Sequence, residues 1–391
     1  KETLTEKINE MSDNALRVLG IAYKNTKNIE DNVENDLIFT GLVGIIDPPK
    51  ENVDKSIAAC KKAGIKVRMI TGDHLKTAAA IAREIGILTD GKVIDGETLD
   101  KLSDEEYFEI VDDIQVYARV KPEQKMRIVE TLKQKGEIVS MTGDGVNDAP
   151  ALKNASIGVA MGSGTDVAKE SGDMIIQDDN FETIVTAIRE GRKIYDNIKR
   201  FVKFQVSTNV GAILTIVGTS IFMLPVPFNP VQLLWINIVM DGPPAQTLGM
   251  EGSERNIMTR QPETGDILNK KVLIKIFIAG LVMAIGSIAL FSYKLAIGAS
   301  QKQAMTVAFT LFVMYQLFNA YNSKSNSAKK STYLYLAIIA CFILQVLIVY
   351  IPELQIIFRT TSIGLTDWIL IFIIAATILV SNRIANKIVV E

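Results

Sequence analysis

The stretch Met141-Thr142-Gly143-Asp144-Gly145-Val146-Asn147-Asp148-Ala149-Pro150 places two carboxylates, Asp144 and Asp148, four residues apart in a loop with two glycines. It continues the apolar run Glu137-Ile138-Val139-Ser140-Met141, which reads as a buried strand. A carboxylate loop at the C-terminal end of a strand suits Mg²⁺ beside a phosphoryl group. Magnesium takes hard oxygen ligands, usually one or two protein carboxylates with phosphate and water.

Working outward, two more turns follow apolar runs. Ile70-Thr71-Gly72-Asp73 follows Ile65-Lys66-Val67-Arg68-Met69, and Ala118-Arg119-Val120-Lys121-Pro122-Glu123-Gln124-Lys125 follows Ile114-Gln115-Val116-Tyr117. Upstream, Gly41-Leu42-Val43-Gly44-Ile45-Ile46 runs into Asp47-Pro48-Pro49-Lys50, a strand-to-turn signal. Residues 52–63, 74–86 and 123–135 have helical periodicity, with Asp73 as N-cap of the second helix. His74, the one histidine, reads as a solvated first-turn residue. Strands alternating with helices predict a parallel sheet with helices on both faces.

The composition changes near residue 200. Before it charges are dense; after it come six long apolar stretches, at 205–224, 231–249, 272–293, 304–321, 333–351 and 363–381. Each approaches the ~20 residues that a membrane-spanning helix needs. Residues 180–204 read as one charged amphipathic helix leading into the first of them. The links carry Arg255, Arg260, Lys270 and Lys271, then Lys324, Lys329 and Lys330, with Arg383 and Lys387 after the last span. The alternate link, Leu224-Pro225-Val226-Pro227-Phe228-Asn229-Pro230, has no charge. The positive-inside rule then sets the soluble half, the basic links and the C-terminus in the cytoplasm. A net charge of −2 gives no sign of a nucleic-acid surface. Cys60 and Cys341 fall in different halves, which argues against a disulfide between them.

Polar residues inside spans are costly and are functional candidates. Asn209 lies in the first stretch, and Asn237 and Asp241 lie in Leu234-Trp235-Ile236-Asn237-Ile238-Val239-Met240-Asp241. Their i, i+4 spacing predicts one helical face. Gly242-Pro243-Pro244 should break the helix and free backbone carbonyls beside a cavity. Gln316 and Asn319 follow in a later span. Amide oxygens with a single carboxylate favour a hard cation.

The loop motifs resemble, in the same order, those of P-type cation-transporting ATPases within the haloacid dehalogenase-like phosphotransferases. The resemblance implies an α/β haloacid dehalogenase-like phosphorylation domain, a parallel sheet with flanking helices, plus an all-α six-helix transmembrane bundle. It implies residues 1–33 as the end of a nucleotide-binding domain, 34–195 as the phosphorylation domain and 196–391 as the transmembrane domain with its cytoplasmic stalk. Thr71, Gly72 and Asp73 would line the phosphate and nucleotide site, with Arg17, Arg119, Lys125 and Asn147 also toward ATP. Lys125 would neutralise phosphoryl oxygens, while Asp144 and Asp148 would hold Mg²⁺ with Asn147 bonding around it. These roles suit phosphoryl transfer, where catalysis is mostly positioning and cationic stabilisation. The family's nucleophile is the Asp of Asp-Lys-Thr-Gly-Thr, and no such string occurs here; Asp54-Lys55-Ser56 is the nearest. With Lys1-Glu2-Thr3 at its start, the chain is expected to be the C-terminal portion of a longer pump whose N-terminal portion is a partner.

Leu233-Leu234-Trp235-Ile236-Asn237 through Asp241-Gly242-Pro243-Pro244-Ala245-Gln246 is similar to the calcium-pump branch, especially the secretory-pathway Ca²⁺/Mn²⁺ pumps. Two-site calcium pumps have Glu where Ala212 stands, Thr at Met240 and Glu at Gln316. The resemblance thus implies Asn209, Asn237, Asp241 and Gln316 around one transported ion per cycle. The expected function is export of Ca²⁺ from the cytoplasm across the cell membrane through an aspartyl phosphate. Export of Mn²⁺ or another divalent cation, or a non-catalytic truncated pump, are the alternatives. A membrane-anchored phosphatase would share the phosphate motifs but has no use for Asn237 and Asp241 in mid-membrane.

Overall fold

The computed structural model describes residues 2–13, 16–25, 34–45, 48–263, 265–325 and 331–390. Ile46, Asp47, Lys329 and Lys330, and the side chains of Arg17, Arg383 and Lys387, lie outside what is described. Two compact units divide the chain: Lys1–Ile188 with Met258–Pro262, and Arg189–Ile257 with Glu263–Glu391.

The first unit opens with helix α1 (Glu2–Asp13) and strands β1 (Arg17–Tyr23) and β2 (Ile38–Ile45), which pair antiparallel as a two-stranded ribbon. There follow α2 (Val53–Lys62), β3 (Met69–Ile70), α3 (Leu75–Glu84), β4 (Lys92–Asp95), α4 (Gly96–Lys101), α5 (Asp104–Ile110), β5 (Ile114–Ala118) and α6 (Pro122–Gln134). Then come β6 (Ser140–Gly143), α7 (Ala149–Asn154), β7 (Ile157–Met161), α8 (Asp166–Ser171) and β8 (Met174–Ile176). Strand–helix alternation does yield parallel pairing, but in two three-stranded sheets, β3-β5-β4 and β6-β7-β8. One side of β5 sends Val116 and Ala118 onto the alanine stripe of α3 (Ala78, Ala79, Ala82) and Ile57 of α2. Tyr117 points to the other layer, with Leu99, Tyr107, Ile128 and Leu132. Ile70 and Val139 pack against both this layer and the cluster of Val129, Met141 and Leu152.

Two local expectations need correction. The strand preceding the Asp144 loop is shorter and less enclosed than the apolar run suggested. It covers only Ser140–Gly143, and Ile138 is 66% exposed. Its partner β7 covers one edge; the other has no strand partner among the described residues. The N-cap of α3 is His74, whose ring nitrogen accepts from the Lys76 N–H, and not Asp73. Asp73 instead accepts from the Thr71 hydroxyl in the turn before the helix.

In the second unit α9 (Phe181–Ile221), which starts inside the first unit, is unbroken over 41 residues, as the charged lead-in predicted. After it come α10 (Pro230–Leu234), a π-helical segment Trp235–Met240, α11 (Gly242–Gly249), α12 (Lys270–Ala296), α13 (Gln301–Asn322), α14 (Thr332–Tyr350), α15 (Pro352–Phe358) and α16 (Leu365–Val390). Among the described residues, α9, α12, α13 and α14 are long and apolar enough to cross a membrane, and Leu365–Ser381 is a shorter apolar stretch. The expected span at 231–249 is not one helix. The π turn closes Asp241 N–H onto Ile236 carbonyl, 3.1 Å, five residues back, and Pro243 and Pro244 carry no N–H to continue the ladder. Helix α13 is the most enclosed, with Phe309, Phe312 and Tyr315 fully buried in the core it shares with α12, α14 and α16.

Candidate functional site

In the first unit the three motifs sit where strands end. The Thr71 N–H donates to Tyr117 carbonyl at 2.9 Å, continuing the β3–β5 ladder into the turn. Thr71 Oγ1 then donates to Asp73 at 2.9 Å and accepts the Asp73 N–H at 3.1 Å. Arg119 N–H donates to Asp73 carbonyl and Val120 N–H to Thr71 carbonyl, so the Thr71–Asp73 turn and the Arg119 turn are one hydrogen-bonded piece. Arg119 holds a left-handed backbone, φ 48°, a strained conformation of the sort that clusters at functional turns. Its side chain, like Gly72 and Asp73, is exposed.

The second piece is the decapeptide. Asp148 is 6% exposed and organises it: Oδ2 accepts the N–H groups of Asp144 (3.3 Å) and Gly145 (3.2 Å), and Oδ1 takes the Lys125 ammonium at 2.6 Å. Gly143 has to be glycine, because an added Cβ would sit 2.4 Å from Asp148 Cβ. Thr165 N–H fixes the Asp144 carbonyl at 2.8 Å. Asp144 and Asn147 are left exposed. Lys125 comes from α6, which starts on Pro122 with Gln124 capping the Lys121 N–H. The arrangement thus presents one free carboxylate backed by a cation–carboxylate pair. That donor set fits Mg²⁺, with Asp144 as the available ligand and Asp148 committed to the loop and Lys125. The structure brings Lys125, Asp144 and Asp148 together in one loop. Arg17 belongs to β1, but its side chain is outside the described residues.

In the second unit, Asp241 is fully buried and accepts the Gln316 amide at 2.8 Å. Gln316 also reaches Ile236 carbonyl at 3.5 Å. Among the described residues, Asp241 Oδ2 and Gln316 Oε1 have no hydrogen-bond partner. Asn237 and Asp241 differ in burial: Asn237 is exposed and Asp241 buried. Asn209 is exposed as well. Asn319 is used elsewhere, donating to Ser207 of α9 at 2.8 Å. The structure therefore joins Asp241 with Gln316 and leaves Asn209 and Asn237 on the surface of this unit. Sequence reasoning missed Ser207 and the Ile236 carbonyl.

With both sites described, comparison with known proteins gives the lineage. The family model described as haloacid dehalogenase-like hydrolase matches residues 14–156, and that described as cation transporting ATPase, C-terminus, matches residues 225–388. The chain belongs to the cation-transporting ATPases. A calcium-transporting ATPase of Bacillus subtilis is 41% identical over 376 residues, 92% of this chain and 42% of that protein. Calcium-transporting ATPase 1 of Saccharomyces cerevisiae is 39% identical over 98% of this chain and 42% of its own length. The human calcium-transporting ATPase type 2C member 1 is 38% identical over 90% of this chain and 40% of its own. The chain thus spans about two fifths of the length of these curated relatives.

Proposed function

We propose that the chain is the C-terminal part of an ATP-driven pump that exports Ca²⁺ from the cytoplasm through an aspartyl-phosphate cycle, one ion per cycle. The observation that carries this reading is Asp241, a fully buried carboxylate with one orphaned oxygen beside a broken helix. Such a charge is expensive in a membrane core, and a bound cation is its natural partner. Gln316 would add an oxygen, and Asn209 and Asn237 would ligate from the exposed side once further helices cover it. On this reading six spans cross the cell membrane, with α10–α11 as one broken span and α16 as the last.

In the first unit, residues 1–33 would end the nucleotide-binding domain and 34–195 form the phosphorylation domain. Thr71, Gly72, Asp73, Arg119 and Asn147 would position ATP, with Arg17 beside them. Lys125 would stabilise charge on the transferred oxygens. Mg²⁺ held by Asp144, with Asp148 behind it, would supply further neutralisation of phosphate charge when bound. The nucleophile has to come from the longer protein. A strand inserted at the edges of β3 and β6 that have no strand partner among the described residues would deliver it to the ends where Asp73 and Asp144 stand, and Ile70 and Val139 already share a core there.

The test is to co-assemble the chain with the N-terminal portion of the Bacillus subtilis relative in vesicles. An acid-stable phosphoenzyme should form from ATP only when Ca²⁺ is present, while the chain alone should turn over no ATP. Phosphoenzyme that forms equally without a divalent cation would overturn the reading. A second reading, Mn²⁺ as the ion, is favoured by Met240, a fully buried thioether next to Asp241. Activation by Mn²⁺ at concentrations where Ca²⁺ fails would select it.

A further inference from the structure

The first unit carries a cationic cluster at the strand ends opposite the Thr71–Asp73 turn. In the lead-in to β3, Val67 packs against the core of Ile57 and Val116. Lys66 and Arg68, on either side of it, turn instead to Asp112, which lies just before β5. The Asp112 carboxylate is 3.5 Å from the Lys66 ammonium and 3.6 Å from the Arg68 guanidinium. Lys135, at the end of α6, reaches its other oxygen at 3.1 Å, and Glu137 shares Lys66 at 3.2 Å. Strands β3 and β5 run parallel, Met69 beside Val116, so the cluster stands at their N-terminal ends. Lys66, Arg68 and Asp112 wall a cavity of about 320 Å³ that Lys61, Gln115 and Gln261 help to line. Gln261 belongs to this unit and lies over Gly64, where an added Cβ would collide with its Oε1.

Arg68 is the anchor. Its side chain is only 11% exposed. A guanidinium has five N–H donors, and burying a charge is costly until they are met. Among the described residues Arg68 makes one hydrogen bond, a long one, to the Asp112 carbonyl at 3.4 Å. Lys61 uses one donor on the Gly86 carbonyl at 2.7 Å. The wall sets the cations Lys61, Lys66 and Arg68 against Asp112, a surplus that a dianion neutralises. Lys135 and Glu137, beyond the wall, cancel each other. We propose that this cavity binds a small phosphomonoester, with Arg68 and Lys66 on the phosphate and Lys61 at the rim. Arginine's planar fork takes phosphate oxygens two at a time, and lysine adds a point charge. A volume at the low end of the range for ligand pockets, about 300–1,000 Å³, suits a compact ester. The site has no residue in common with the Lys125–Asp148 loop and stands whether or not the pump reading does.

The test is a titration of the purified full chain with glycerol phosphate, in chelator and a phosphorus-free detergent, read by phosphorus magnetic resonance. Wild type and Lys125→Ala should both bind it. Arg68→Gln should weaken binding tenfold or more, as loss of charge-assisted hydrogen bonds does. Lys66→Gln should weaken it severalfold; that side chain is 62% exposed and its surface pairs add little to the fold, so this variant reports on the site even if Arg68→Gln unfolds. Asp112→Asn should tighten binding, because it removes the carboxylate that competes for the same cations; a merely structural cluster would show no gain. Vesicles of phosphatidic acid, which offer the same phosphate on a lipid, should not displace the ester. No binding by wild type, affinity unchanged in both Arg68→Gln and Lys66→Gln, or loss in Lys125→Ala overturns the proposal, and displacement by the vesicles overturns the soluble ligand.

Discussion

The Gln316 amide nitrogen lies 2.8 Å from Oδ1 of Asp241, and this bond joins two residues that have no exposed surface. It satisfies one carboxylate oxygen and leaves the other, with Gln316 Oε1, bare. The cation proposed above would take up these two oxygens. Asp241→Asn should raise the stability of the ion-free chain by an order of 1–3 kcal/mol, the cost of a buried polar group without its partner. In the complete pump it should abolish ion-activated phosphorylation. Thermal unfolding in chelator, set beside phosphoenzyme yield, checks both, and a variant that unfolds earlier in chelator would refute the first half.

In the phosphate loop the two carboxylates should separate by role. Asp144 is exposed and free for metal, whereas Asp148 holds the loop N–H groups and Lys125. Asp144→Asn in the complete pump should nearly abolish phosphorylation while leaving the fold unchanged. Asp148→Ala should destabilise the unit by about 1–3 kcal/mol, because it strands the Lys125 ammonium and two N–H groups. Lys125→Ala should slow phosphoryl transfer by removing a cation from the site. Chemical denaturation of the single variants separates the roles; equal losses of stability at 144 and 148 would contradict the division.

What the sequence revealed and what it hid have physical causes. The Thr71–Asp73 and Asp144–Asp148 motifs were legible because strand-end loops are set locally, by glycines, an apolar run and side chains bonding within a few residues. The long helix Phe181–Ile221 was legible from its run of charge into apolar residues. In the segment 231–249 the break at Gly242-Pro243-Pro244 was legible from the prolines, while the π winding of Trp235–Met240 was not, because hydropathy counts side chains and is blind to backbone winding. Asn237 is exposed and Asp241 buried because tertiary packing, which spacing does not report, covers one and not the other. The cap on α3 went to His74 rather than Asp73 because Thr71 had already engaged the aspartate.

A second buried pair gives a stability prediction that is independent of the ion. Lys294 of α12 donates to Asp367 of α16 at 2.8 Å, with side chains only 9% and 5% exposed. Removing one partner leaves a buried charge, so Lys294→Ala or Asp367→Ala should cost about 3–5 kcal/mol. The double change Lys294→Met with Asp367→Leu should recover most of that loss, since an apolar pair of similar volume avoids desolvation. A double-mutant cycle by thermal unfolding in detergent measures it; additive losses would show that the two residues do not act as a pair.

Acid should loosen the first unit at α4. The Asp95 side chain caps that helix, accepting the Thr98 hydroxyl at 2.6 Å and the Thr98 N–H at 2.9 Å. The hydroxyl bond first, then the N–H bond, holds the carboxyl below its ordinary value of 3.8. A depressed carboxyl contributes its stability above the unfolded value and loses it as pH falls through the folded one. Asp95→Asn should therefore flatten the decline in stability below pH 3.8, and Asp95→Ala should cost about 1 kcal/mol at neutral pH as a lost cap. Unfolding midpoints between neutral pH and strong acid decide the matter, and an unchanged acid slope in Asp95→Asn would reject it.

The last prediction concerns stoichiometry. Ala212, Met240 and Gln316 are all buried, and none carries a charge. The resemblance sets Glu, Thr and Glu at these positions in two-site pumps, so this half supplies oxygen for one ion, with Asp241 as its carboxylate. Vesicles containing the complete pump should transport about one Ca²⁺ per ATP, by the ligand count that hard cations demand. Ala212→Glu or Gln316→Glu alone should leave that ratio at one, because the Met240 thioether still offers no oxygen. The triple change Ala212→Glu, Met240→Thr, Gln316→Glu is the one expected to raise it. Calcium uptake measured against ATP hydrolysis gives the answer, and a ratio near two in the unaltered pump would show that the ligand count is wrong.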